Sequence, residues 1–78
     1  MVDPVLKAGL DRLRAVKSQR PTDPEPGKFA DWRERVADAL DALARVLPFE
    51  EDRIRARAEA DAARTQAVDI RRQGETTS

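Results

Sequence analysis

The chain has 78 residues, with 15 Lys and Arg balanced by 15 Asp and Glu, and it contains neither Cys nor His. A chain of this length is one domain at most and buries only roughly 60% of the surface its unfolded form exposes, so a partner or self-association is expected to support it. Missing Cys and His remove any disulfide framework, thiolate metal site, cysteine nucleophile or imidazole base, and the zero net charge argues against a basic arm or an acidic tail.

The first element opens at Asp3-Pro4, a capping carboxylate followed by a residue whose fixed φ suits the first helical position. Leu6, Leu10 and Leu13 recur at helical spacing with Val5 and Val16 beside them, while Lys7, Asp11, Arg12 and Arg14 fall mostly on the other side. This predicts an amphipathic helix over residues 4–19, with Gly9 as a weak spot worth about 1 kcal/mol against Ala. Residues 20–27 follow with three prolines, which read as a stiff, extended connector.

Residues 28–47 carry the strongest pattern. Phe29, Val36 and Leu43 are seven apart, as are Trp32, Ala39 and Val46, and Leu40 and Leu47 widen the same face. Asp31 with Arg35, and Asp41 with Arg45, are spaced as intrahelical ion pairs. At Leu47-Pro48 the helix cannot continue without losing a bond, and a turn is expected there, with Pro48 near the start of a third helix.

That third helix is predicted over residues 49–73, with Glu50, Glu51 and Asp52 in its first turn and Arg64, Arg71 and Arg72 toward its end, complementing the helix dipole. Gly74 is expected to stop it before a polar tail, 74–78. Its apolar seam joins Phe49, Ala56, Ala63 and Ile70 with Arg53, Ala60 and Ala67, a seam mostly of alanine that permits close approach but buries little area. Glu51 with Arg55, Arg57 with Asp61, and Asp61 with Arg64 stand at helical spacing, as on a solvated, salt-bridged face.

Catalytic chemistry finds little support. Ser18 and Ser78 lack a nucleophile motif, three scattered glycines make no phosphate loop, and the carboxylates of Glu50, Glu51 and Asp52 point in different directions on a helix. No catalytic, metal, cofactor or small-molecule site is expected, and the protein is read as non-enzymatic. Nucleic-acid binding is disfavoured because the arginines are matched by acids along the chain, and a third helix entering a groove by its N-terminus would present carboxylates to phosphate. No apolar run approaches the ~20 residues that span a bilayer, and the start of the chain lacks a signal-peptide pattern, so a soluble, unprocessed protein is expected in the cytoplasm, a virion or another intracellular assembly. The 12 arginines and 13 alanines suggest GC-rich coding, hence a bacterial or bacteriophage gene.

The expected architecture is all-α: a core helical hairpin of the second and third helices, with the first attached through the connector. The expected role is a protein-protein interaction or structural adaptor subunit of a larger assembly, a homo-oligomer included. Its interface residues are expected to be Phe29, Trp32, Val36, Leu40, Leu43 and Leu47, with Leu6, Leu10 and Leu13 as a second contact and Ala56, Ala60, Ala63 and Ala67 as a close-approach seam. A nucleic-acid-associated regulator, a virion or mobile-element component, and an inhibitor of a host enzyme are the alternatives.

Overall fold

The computed structural model describes residues 3–76, with side chains through residue 74. Three helices make up the architecture: α1 (Pro4–Ser18), α2 (Pro26–Ala44) and α3 (Glu50–Thr76). The start of α1 follows the sequence: Asp3 caps it by accepting from the Val5 amide at 2.9 Å, and Pro4 occupies the first turn.

Other boundaries depart from the pattern. α2 begins at Pro26, two residues early, because a proline lacks the amide that the first turn could not use anyway. Asp23 prepares this start by accepting from the Glu25 amide at 3.0 Å and from Lys28 Nζ at 2.9 Å. The far end of α2 stops at Ala44 rather than at Leu47. Pro48 has no amide to offer the Ala44 carbonyl and disfavours helical geometry at Leu47, so the last turn tightens, and the Val46 and Leu47 amides both donate to the Leu43 carbonyl. Pro48 therefore lies in the turn itself, and α3 opens two residues later with the Arg53 amide donating to Phe49 O at 3.1 Å.

Gly74 does not stop α3, which runs on to Thr76. A terminating glycine works by adopting positive φ, and no glycine among the described residues does so. In consequence the last turn holds no base, while Glu50, Glu51 and Asp52 do occupy the first turn, so the dipole is complemented at one end only. The tail expected at 74–78 is thus helical through residue 76, and residues 77 and 78 lie outside the described residues.

The helices form a layer rather than a closed bundle. α2 packs against α1 on one side and α3 on the other, and no Cα of α1 comes within 8 Å of one in α3. The Cα trace measures 53 × 22 × 11 Å, about the thickness of one helix. Both neighbours run antiparallel to α2: Gly9 lies against Leu43 while Val16 meets Trp32, and Arg64 and Arg71 reach back to Asp38 and Asp31.

The core lies where these helices meet. Trp32, Val36, Ala37, Leu40, Ala60 and Ala63 form one buried cluster, against which Leu13, Val16 and Phe29 pack. Alanines dominate the α2–α3 seam: Ala56, Ala60, Ala63 and Ala67 are buried on α3, and Ala30, Ala37 and Ala44 on α2. The α2 set also repeats every seven residues, on the side that carries Ala37, so small side chains meet small side chains and the two backbones come close. A similar device joins α1 to α2, where a Cβ on Gly9 would stand 3.2 Å from Leu43 Cδ1 and 3.8 Å from the Leu43 Cα. The weak spot in helix propensity is the point of closest approach.

Candidate protein interface

The residues expected to form an interface divide by their position in the layer. Trp32, Val36, Leu40, Leu43, Ala56, Ala60, Ala63 and Ala67 are buried within the chain itself. Phe29, Leu47, Leu6 and Leu13 are half-buried, and Leu10 is 40% exposed. The broad apolar side of α2 is thus not left open, as its width alone implied, because α1 and α3 close on it from both sides.

Between these flanks a groove of about 240 Å³ remains, with Leu40 and Leu43 of α2 as its floor. Leu13 and Lys17 form the α1 wall, and Asp52, Arg55, Ala56 and Glu59 form the α3 wall. The two flanking helices differ in charge. α1 carries Lys7, Arg12, Arg14 and Lys17 against Asp11 alone, whereas α3 up to Asp61 carries five acids against Arg53, Arg55 and Arg57.

The other side of the layer is polar. Arg71 grips Glu34 through both guanidinium arms, at 2.8 and 3.1 Å, and also donates to Asp31 at 2.6 Å. Seven residues earlier, Arg64 bridges Asp38 and Asp41 in the same manner. Asp31 and Asp41 are drawn across to α3 instead of pairing with Arg35 and Arg45 on their own helix, and Asp61 is not the partner of Arg64. These pairs are about half exposed, so each stabilises little, but two rungs at one spacing fix the sliding register of α3 on α2. The hydrogen bonds from Arg71 hold the Glu34 carboxyl below its usual range, and the bonds Arg71 donates to Glu34 and Asp31 raise its own pKa above the usual value. Asp41, Arg45, Arg57, Asp61 and Arg64 line a second cavity here, of about 320 Å³, without an apolar residue among them.

The end of the layer where the connector returns is sealed by a tilted aromatic pair and the arginines over it. Phe29 and Trp32 meet at 5.4 Å between ring centroids. Arg20 covers both rings, at 5.5 and 5.9 Å, and Arg33 lies 5.6 Å from Trp32 on the same helix. At the opposite end, Phe49 beside the hairpin turn is 69% exposed and Ile54 one turn later is 58% exposed. Phe49 belonged to the expected seam of the third helix but lies beyond the reach of α2. Ile54 and Val68 escaped the sequence reading; they stand two heptads apart on the outer side of α3, and that spacing was the available signal.

Among the described residues no group of three His, Cys, Asp or Glu side chains is placed to hold a metal ion, and no helix is long and apolar enough to cross a membrane. No family model matches the chain, and neither does any curated protein or solved structure.

Proposed function

We propose that the protein is a non-enzymatic protein-interaction module, an adaptor or structural subunit of a larger assembly that docks through the groove side of its helix layer. One observation carries the reading: the layer is a single helix thick and two-faced, ion-paired on one side and grooved over leucines on the other. Domains ordinarily bury the apolar side of one layer against a second layer, and the described residues form one layer. Leu10 on α1 and Phe49 at the turn add exposed apolar surface of the kind that partners cover.

Site-specific photocrosslinking in the native host tests this. A photoreactive residue at Leu10 or Phe49 is expected to give discrete higher-mass protein adducts, and one at Arg45 on the polar side none. Absence of adducts from both apolar sites, or equal labelling from Arg45, would overturn the proposal.

A nucleic-acid-associated regulator is the second reading, favoured by the four bases and single acid of α1. It requires retardation of duplex DNA that weakens steeply with added salt and is lost when Lys7, Arg12, Arg14 and Lys17 are all changed to Gln.

A further inference from the structure

We propose that the cavity at the hairpin end of the polar side is a binding site for a phosphate dianion, free or esterified, held between Arg45 of α2 and Arg57 of α3. The ion-paired side is built on a repeat of seven. On α2 the carboxylates come in pairs three apart, Asp31 with Glu34 and Asp38 with Asp41, and each pair is gripped by one arginine of α3, Arg71 and then Arg64. The next step of seven toward the turn brings Arg57 of α3 opposite residues 45 and 48 of the preceding chain. Those are Arg45 and Pro48, so the third arginine meets no such carboxylate and faces a second arginine instead.

Arg45 and Arg57 line one cavity of about 320 Å³, together with Asp41, Asp61 and Arg64. Among the described residues, neither Arg45 nor Arg57 makes an ion pair or a side-chain hydrogen bond. Arg53, one turn before Arg57, also has its Nε enclosed without an acceptor. Arg64 is already answered by Asp38 and Asp41, so the charges left to a ligand are two guanidiniums and the Asp61 carboxylate.

The closed rungs indicate the ligand. Each gives its arginine two negative charges, and the open one lacks both. A phosphate group carries two charges on one centre and turns acceptor oxygens to several sides, so it can take two guanidinium forks at once, whereas a lone carboxylate brings half the charge. No apolar residue lines the cavity, and what it offers is charge and hydrogen bonding. Asp61 opposes the anion and lowers its affinity, but it stands against two bases.

The test is a nuclear magnetic resonance titration of the full, isotope-labelled chain at about pH 7.5, where phosphate groups are mainly dianionic. Inorganic phosphate and methyl phosphate are the probes, with chloride matching ionic strength in the reference samples. The Nε–Hε signals of Arg45 and Arg57 are expected to shift along one saturating curve, while those of Arg12 and Arg14 on α1 do not saturate. Arg45→Gln and Arg57→Gln are each expected to weaken binding by about tenfold or more, and Asp61→Asn to tighten it severalfold. Both arginines are exposed and unpaired, so circular dichroism is expected to show unchanged helicity in these variants. Arg45→Asp restores a carboxylate at the third rung, and is expected to abolish binding and to raise Tm in chloride.

Tighter binding of methyl phosphate assigns the site to a phosphate ester, and tighter binding of inorganic phosphate assigns it to the free ion. Arg45 and Arg57 signals that do not saturate, glutamine variants that bind like wild type, or an Asp61→Asn variant that binds more weakly would each overturn the proposal.

Discussion

The indole Nε1 of Trp32 donates to the Val16 carbonyl oxygen at 2.7 Å, and this bond ties the last turn of α1 to the first half of α2 across a proline-rich connector. The same carbonyl accepts from the Gln19 amide at 3.1 Å, where it helps to end the helix. One side chain thus anchors a neighbouring helix by area and by hydrogen bonding, with the Phe29 ring tilted against it and the Arg20 guanidinium over its ring.

Replacing Trp32 with Phe keeps an aromatic ring but removes the donor and part of the ring. A loss of about 1–3 kcal/mol is expected, a fall in Tm of roughly 4–8 °C per kcal/mol for a domain of this size. Thermal melts followed by circular dichroism check it, and an unchanged Tm would show that α1 is held by other contacts.

Gly9 separates helix propensity from packing. Gly9→Ala is expected to change stability by less than about 1 kcal/mol, since better propensity is offset by displacing the Leu43 methyl group by a few tenths of an ångström. Gly9→Val drives two more carbons into the same contact and is expected to lose about 1–3 kcal/mol. Urea titration of both variants decides, and a stabilised valine variant would refute the close approach.

In the alanine seam the limit is space. Ala63 has no exposed surface, and Ala63→Leu is expected to force α3 away from α2 at a cost of about 1–3 kcal/mol, although leucine is itself a good helix former. Ala58 lies on the exposed side of the same helix, and Ala58→Leu is expected to leave stability within about 0.5 kcal/mol of wild type. Equal effects at the two positions would contradict the seam.

The ion-paired side carries a pH dependence of known sign. The Glu34 carboxyl is lowered chiefly by its hydrogen bonds from Arg71, and Asp23 chiefly by the one from Lys28. A lowered carboxyl stabilises the fold above its ordinary range, and that contribution is lost as pH falls through the lowered value, so Tm is expected to fall between about pH 5 and pH 2. Arg71→Gln is expected to flatten this slope while changing Tm at pH 7 only slightly, because the groups are largely exposed. A variant with the full wild-type slope would place the dependence elsewhere.

Much of the architecture was legible from local features. Asp3-Pro4 started α1, the heptads through Phe29, Val36 and Leu43 marked α2 as the central helix, and Pro48 placed the turn of a hairpin. These signals act within a few residues through sterics and backbone hydrogen bonding, so neighbouring sequence is enough to read them. Gly74 was misread because a glycine permits a helix stop without compelling one.

Longer-range choices belonged to the tertiary structure. Asp31 has Arg35 one turn away and Arg71 forty residues on, and only the antiparallel packing of α3 brings the second within 2.6 Å and lets it win. Ala30, Ala37 and Ala44 are buried without any sign of it in the sequence, because alanine carries no signal of burial until another small residue faces it. Helical periodicity determined which residues share a face. Which faces meet depended on three helices competing for the sides of α2, and that competition is settled by shape and close approach between segments far apart in the chain.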